Sequence, residues 1–587
     1  MLARLFPITS WLPSYRKEDL RSDIVAGFTT AVMIIPQAMG YAMLAGLPPI
    51  VGLYAALTPI LAYALLGTSR QLSVGPVAMD SLLVAVAVGA LAETGSDDYV
   101  AIAGTLGVLV GLVQLTLGVL RMGFIVNFLS RPVISGFTSA AALIIAASQL
   151  KYLLRLDLPS THFVPKVVYE ALKQAQGAHG MSMLIGLASI GTLVVLKRAV
   201  PKFPRALVVV TITTAVVSTW ALDQTGVRIV GEVPSGLPGV HWPRIELDLI
   251  QTLLPAACTI SLVSFMEAIS IGKHFARENR YELNASQELI GLGVANVLGG
   301  LTGGYPVAGG VSRTAVAASA GARTQLFALI TVSVVATTLL YLTPLFYAMP
   351  KAALAAIIVT AVVGLVDLSE PKRLWKVKPA DLGLLVLTFV MTLSVGIQWG
   401  IILGVLASLL LFVVRTTQPH VAVLGQVPGT EAYLNVERHR HAQVVPGVLV
   451  LRIDAQFYFG NVSFLKDTLR SLEQRMAEPL QAVVLDASGV NQLDSSAEAA
   501  LQEIDAAYAA RGVRLYFARV KGPVRDVMLQ SGLLERLNQE GRIVFRTHDA
   551  VQLAAGRAVV GRSGPPGAAD PRAPADRVGC GKIQRTA

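Results

Sequence analysis

From Ile24 to Ser69 the chain runs 46 residues without a charged side chain. A helix rises 1.5 Å per residue, so a hydrocarbon core of about 30 Å takes about 20 residues and this run holds two crossings. Tyr99–Leu120 adds 22 uncharged residues, enough for one crossing, and Leu382–Val414 adds 33, enough for two. Soluble domains carry about 25% charged residues. Here the figure is 14%, beside 53% hydrophobic residues. No buried helix of a soluble core explains the set, and the chain reads as a polytopic α-helical membrane protein.

The opening MLARLFPITSWLPSYRKEDLRSDI has no short apolar core followed by a small-residue cleavage site, so residues 1–23 read as a retained cytoplasmic segment. Cys258 falls in a span and Cys580 in the tail, which implies no disulfide framework. A net charge of +11 suits nucleic acid at first sight. In a membrane protein Lys and Arg collect in cytoplasmic loops instead, so no nucleic-acid partner is expected.

Breaks at Gly, Pro and charge clusters divide a transmembrane domain, 24–415, into fourteen expected spans. They are 24–44, 50–66, 76–91, 99–120, 130–148, 181–196, 206–222, 251–272, 286–301, 311–320, 324–346, 351–367, 380–395 and 397–415. With a cytoplasmic N-terminus, the inner loops hold Arg121, the cluster Lys197, Arg198, Lys202 and Arg205, KHFARENR (273–280) and KRLWKVK (372–378). The outer loops hold ETGSDD (93–98) and the polar stretch 223–248. That bias is positive-inside, and an even count returns the C-terminus to the cytoplasm. The outer loop 149–180 breaks the pattern with several lysines.

After a linker, 416–444, the text changes. GVLVLRID (447–454), QAVVLDAS (481–488), VRLYFARV (513–520) and RIVFRT (542–547) read as strands. DSSAEAALQEIDAAYAARG (494–512) and GPVRDVMLQSGLLERL (522–537) read as helices, so 445–557 forms a small α/β domain. The tail, 558–587, is rich in Gly, Pro, Ala and Arg and is expected to be disordered.

Two segments break the helical text at matching places. LSVGPVAMDSLL (72–83) opens the third span and GGYPVAGGVSRTAV (303–316) the tenth, each an extended, proline-bearing entry followed by a short apolar helix. A pair of Gly/Pro-interrupted spans in two halves points to a transporter site and to two seven-span repeats of opposite sense. A helix starting near the midplane leaves its first N–H groups unpaired and positive, so two such ends make an anion site. Gly309 and Gly310 are read as letting a ligand approach, Ser312 as a hydroxyl donor, and Arg313 as a full charge that draws anions in. The bland reading is that Arg313 snorkels from a helix end.

These residues resemble the sulfate permease family, the bacterial relatives of solute carrier family 26 anion transporters. IPQAMGYAMLAGLPPIVGLYAALTP (35–59) resembles the family's first-span signature, GTSRQLSVGP (67–76) its third-span entry, and EAISIGKHFA (267–276) its eighth-span end. GGYPVAGGVSRTAV with GARTQ (321–325) resembles the tenth span, and the C-terminal domain resembles a STAS domain. The resemblance implies fourteen spans in a seven-plus-seven inverted repeat, core and gate domains, elevator-type alternating access, a homodimer and a bacterial inner membrane location. It also implies that the anion meets Gln37, Tyr41, Val77, Ala78, Val311, Ser312 and Arg313. Gln37 has its own rationale, because a neutral amide can hydrogen-bond an oxyanion without trapping it; an interhelical hydrogen bond is the competing role.

Moving an anion inward against the potential costs about 2.3 kcal/mol per charge per 100 mV, so concentrative uptake needs a co-transported cation. Glu267 and Asp80 are the candidates for H⁺ or Na⁺ coupling, since burial disfavours an ionised carboxylate. A structural ion pair with Arg313 competes for both, and helix N-terminal electrostatics for Asp80, where the family pattern more often has an apolar residue. Ser495 and Ser496 match the place where regulatory STAS relatives are phosphorylated, though Asp494-Ser495-Ser496 also reads as a helix cap. His439 and His441 in ERHRH (437–441) are better explained by the linker than by a metal.

No nucleotide loop, metal-ligand set or nucleophile triad is present in the text, so no enzyme and no cofactor are expected. The reading is a secondary active transporter of sulfate, bicarbonate or dicarboxylate. An uncoupled channel or exchanger, and a membrane-held sensor signalling to a cytoplasmic regulator through the STAS-like domain, are the alternatives.

Overall fold

A computed structural model of the chain describes residues 6–124, 130–159, 161, 163–200 and 205–557. Lys202, Cys580 and the tail 558–587 lie outside the described residues. The chain forms two compact units, Met1–Leu409 and Leu410–Ala587.

The first unit is helical. Its elements are α1 (Lys17–Leu44), α2 (Pro49–Leu66), α3 (Ala78–Gly89), α4 (Asp97–Val119), α5 (Arg131–Ser148), α6 (Gly180–Ala199) and α7 (Arg205–Thr219). They continue with α8 (Leu247–Glu278), α9 (Ala285–Leu301), α10 (Val311–Ser319), α11 (Leu326–Thr337), α12 (Lys351–Val363), α13 (Pro379–Ser394) and α14 (Ile397–Thr417), whose last residues, from Leu410, belong to the second unit. Among the described residues eight helices are long and apolar enough to cross a membrane; α3, α7, α12 and α13 are apolar but shorter. α1 begins at Lys17 and Asp23 is fully buried, so the last residues of the segment expected as cytoplasmic, 1–23, already belong to a helix of the fold. The span expected over 324–346 is not uniform. After Thr337 it widens into a π turn, Thr338–Leu342, and ends in a 3₁₀ turn holding Pro344. Proline has no N–H to continue the ladder, which is a local cause for the change.

Lipid tails give helices no hydrophobic drive toward one another, so close packing depends on small residues. The α4–α9 seam shows this. A Cβ on Gly111 would fall 2.5 Å from the Gly293 carbonyl oxygen, so the two backbones touch where a side chain would separate them.

The second unit is a six-stranded sheet in the order β4-β3-β5-β6-β7-β8. Its strands are β3 (Val421–Gln426), β4 (Tyr433–Asn435), β5 (Val448–Ile453), β6 (Ala482–Asp486), β7 (Arg514–Ala518) and β8 (Ile543–Val544). Strands β5 to β8 are parallel, and β3 is antiparallel to both β4 and β5. The helices are α15 (Val462–Gln474), α16 (Ser495–Ala509), α17 (Gly522–Gln530), α18 (Leu533–Gln539) and α19 (Thr547–Ala554).

The linker expected over 416–444 is thereby corrected. Pairing of β3 with β5 and β4 buries Ala422 and Leu424 and makes one edge of the sheet, β4, from a segment that reads as polar text. The helix expected over 522–537 is two, because Gly532 takes a left-handed conformation (φ +77°) between them. The strand expected over 542–547 is two residues long, since its last residues start α19.

Candidate functional site

β1 (Val74–Gly75) and β2 (Ala308–Gly309) cross as an antiparallel pair, Val74 opposite Gly309 and Gly75 opposite Ala308. Gly310 N donates to the Ser73 carbonyl (2.9 Å), and Ser73 N to Thr314 Oγ1 (3.0 Å). Each strand runs directly into a helix, β1 into α3 and β2 into α10. Neither N-cap residue, Val77 or Gly310, makes a side-chain cap. The opening N–H groups of both helices therefore lack a side-chain cap, with Asp80 the one acidic residue in either first turn.

A buried amide fixes the second strand. Asn296 Oδ1 accepts from Val307 N (2.7 Å), while its Nδ2 donates to the Val307 carbonyl (3.1 Å) and to Gln114 Oε1 (3.0 Å). Gln114 donates onward to Ser264 Oγ (2.8 Å). Helices α9, α4 and α8 thus hold one short strand. Tyr305, fully buried, shares a 3.0 Å hydrogen bond with Ser81 in α3.

Arg313 is 2% exposed. Its Nη1 donates to the Pro76 carbonyl at 2.6 Å, while Nε and Nη2 have no partner. Glycine makes room for the group. A Cβ on Gly310 would lie 2.6 Å from Arg313 Cζ, and one on Gly75 (φ +146°) 3.4 Å from Nη2. The idea that Gly309 and Gly310 admit a ligand is corrected here. A Cβ on Gly309 would meet Leu72 and Ala268, and Gly310 lies against the guanidinium itself.

Other polar atoms around Arg313 are also unmet. Gln37, buried one turn before Tyr41 and next to Pro36 inside α1, has Oε1 without a partner. Asp80 is fully buried with both carboxylate oxygens unpartnered. Tyr41, Tyr305 and Glu267 lie within electrostatic reach of the guanidinium, and Asp80 within reach of Glu267. Neither acid is hydrogen-bonded to Arg313, so the structural ion pair is not formed. Val77 and Ala78 are buried at the start of α3, whereas Val311 is 51% exposed and Ser312 is exposed. Only Arg313 of that trio is turned inward.

Asn296, Gln114 and Tyr305 were missed in the sequence. Each amide is a hydrogen-bonding side chain inside an uncharged span, and that signal was available. In the second unit, Ser495 and Ser496 sit exposed in the first turn of α16, whose N-terminus Asp494 caps by accepting from Ala497 N (2.8 Å). Among the described residues no group of three or more His, Cys, Asp and Glu is placed to hold a metal.

The model of the sulfate permease family matches residues 20–388, and that of the STAS domain residues 439–552. The chain is 39% identical over 565 residues to sulfate transporter 4.1, chloroplastic, of Arabidopsis thaliana, covering 94% of this chain and 82% of that one. It is 34% identical over 527 residues to a probable sulfate transporter of Mycobacterium tuberculosis, covering 90% and 94%. Murine solute carrier 26 family member A9, solved in the inward-facing state, is similar with a TM-score of 0.86 at 26% identity over 94% of each chain. The transmembrane domain of a cyanobacterial bicarbonate transporter gives a TM-score of 0.59 at 26% identity, covering 67% of this chain and 98% of that one.

Proposed function

The chain belongs to the sulfate permease family, and from that premise we propose that it is a secondary active transporter of sulfate, bicarbonate or a dicarboxylate. The observation that carries the proposal is the buried Arg313 guanidinium, which keeps two donor nitrogens free between two uncapped helix starts. Nη1 is committed to Pro76 and anchors the group, so Nε and Nη2 can meet an oxyanion without a large loss of side-chain freedom. One helix end contributes about 0.3–2 kcal/mol. Two ends and an arginine reach the range of about 4–8 kcal/mol that corresponds to millimolar to micromolar binding. A carrier must release its cargo, and that range permits it.

Charge explains the coupling. With both Asp80 and Glu267 ionised, the two acids outweigh the single Arg313 and the site repels an anion. A proton or Na⁺ that neutralises one of them makes the site able to accept its substrate. Cation and anion then cross together, which offsets part of the electrical cost of inward anion movement. The proposal includes a bilayer location in a bacterial inner membrane, fourteen spans as two inverted repeats, both termini in the cytoplasm, elevator-type movement and a homodimer. The STAS domain is proposed to receive a cytoplasmic regulator, with Ser495 and Ser496 as its phosphorylation candidates.

The test is uptake of labelled sulfate, bicarbonate and fumarate by the purified protein in liposomes, each with an inward proton gradient, an inward sodium gradient or neither. Saturable uptake of one anion, accelerated by one cation gradient and uncoupled from it in Glu267→Gln, is expected. Anion current without saturable uptake would replace the carrier by a channel, and neither would leave the signalling role.

A further inference from the structure

Beyond Tyr41 and Asp80, where α1 and α3 end, a cavity of about 730 Å³ opens between α3, the end of α5 and the start of α12. That size is within the range of small-molecule pockets. Its wall includes Leu82, Gly89, Tyr152 and two lysines, Lys151 and Lys351. Leu82 follows Asp80 by two positions on α3, so the cavity reaches the first turns of the helix that opens the main site.

The lysines are not ordinary surface charges. Lys351 is partly buried, its backbone N–H is held by the Arg228 carbonyl (2.9 Å), and Lys151 and Arg228 are both within electrostatic reach of it. The Arg228 guanidinium is already taken by Asp157 (3.2 Å). Lys151 is positioned over the Tyr152 ring at 4.9 Å. Among the described residues neither lysine forms an ion pair, and the one carboxylate lining the cavity, Glu93, is exposed. Two like charges sharing one recess repel each other, and the Tyr152 ring and the exposed Glu93 are what the wall sets against that cost, with no ion pair among the described residues. The loop 149–180, whose lysines break the positive-inside pattern, supplies one of the pair.

We propose that Lys151 and Lys351 form a second anion site, an antechamber that takes a multiply charged inorganic oxyanion such as sulfate before it reaches Arg313. Hydroxyl donors are at hand in Thr94 and Tyr152, which line the same cavity, whereas Ser148 Oγ already donates to the Ile145 carbonyl (2.7 Å). A recess of one sign with low-dielectric walls raises the local concentration of counter-ions. The gain follows the charge of the anion exponentially, so a divalent ion gains the square of what a monovalent one gains. The inference rests on the anion-transport reading for its purpose, but its binding test does not.

The experiment is equilibrium binding of radiolabelled sulfate to the purified full-length protein at low and physiological salt. Arg313→Ala is expected to keep a salt-sensitive sulfate site that Lys151→Gln/Lys351→Gln loses. In the Arg313-intact chain, the double lysine variant is expected to raise the apparent KM for sulfate about tenfold. The inhibition constant of a monovalent competitor should rise only about threefold. Lys151→Arg/Lys351→Arg should restore both, which separates charge from misfolding. Unchanged sulfate binding and KM in the double glutamine variant would overturn the antechamber. Absence of saturable uptake in the wild-type chain, with lysine-dependent binding intact, would instead overturn the transport reading alone.

Discussion

Two regions of the helical unit bury carboxylates and treat them in opposite ways. At the loop that leads into β1, Glu288 is fully buried and accepts from Tyr63 OH (2.5 Å), Thr68 N (2.6 Å), Thr68 Oγ1 (2.5 Å) and Ser69 N (3.1 Å). At the loop that follows α10, Asp23 accepts from Arg323 N (2.7 Å), Thr324 N (3.2 Å), Thr324 Oγ1 (2.7 Å) and Tyr15 OH (3.1 Å). Between those loops, at the crossing of β1 and β2, Asp80 has no partner at all and Arg313 keeps two donors unmet. A buried polar group costs roughly 1–3 kcal/mol when it is left unsatisfied. A fold that satisfies its structural acids fourfold and leaves these atoms bare is holding them for something else. The loops fix the broken helices in place, and the crossing, the proposed anion site, keeps its polar groups unmet.

The contrast can be broken from its structural side first. Glu288→Ala orphans Thr68 N, Ser69 N and the Tyr63 hydroxyl together, and is expected to cost about 3–5 kcal/mol of stability. Thermal unfolding in detergent checks this. A melting temperature equal to wild type would mean that the clamp is dispensable.

Gly310→Ala attacks the crossing through shape alone. Its Cβ must push the guanidinium off its place, so uptake is expected to fall at least tenfold while the melting temperature changes by no more than a few degrees. Normal uptake would show that the position of Arg313 is not critical.

Asp80→Asn sharpens the difference by its sign. Removing the charge from a group with no partner is expected to leave stability unchanged or raised by about 1 kcal/mol, in contrast to Glu288→Ala, while altering the dependence of uptake on the cation gradient. A marked loss of stability would place Asp80 among the structural acids.

The smallest effect belongs to a paired acid outside the membrane unit. Asp454 accepts from Arg452 Nε (2.6 Å) and pairs with His420 Nδ1 (3.0 Å), and the Arg452 hydrogen bond holds its carboxyl below the usual range. A depressed carboxylate stabilises the fold above its unfolded pKa and ceases to as pH falls through the folded value. Asp454→Asn is therefore expected to cost at most about 1 kcal/mol near pH 7, with the cost fading below about pH 4. Hydrogen exchange of β5 at the two pH values measures it.

Much of this was legible in the sequence, for definable reasons. Lipid demands apolar helices, so the spans are written as uncharged runs, and the two interrupted entries stand out because Gly and Pro are costly there. Arg313 is conspicuous for the same reason: a lone cation between uncharged runs. What was not legible depends on partners far away in the chain. Asp23 sits in the polar text of RKEDLRSDI and Glu288 in an ordinary helix start, and only the fold brings Thr324 to one and Thr68 to the other. The role of Gly310 was misread for the same cause, since its neighbour is a side chain three residues on that folds back over it. β3 and β4 escaped because the edge strand, β4, is only three residues long, and β3 has Gly and Gln at its end.

The most direct test of the central claim is the initial rate of labelled-anion uptake by liposomes holding Arg313→Ala, measured beside wild type over a range of anion concentration. The thermal melting of both is recorded in parallel. Loss of the saturable component, with melting within a few degrees of wild type, is the predicted result. Saturable uptake at the wild-type KM and rate would contradict the claim that the unmet donors of Arg313 bind the anion.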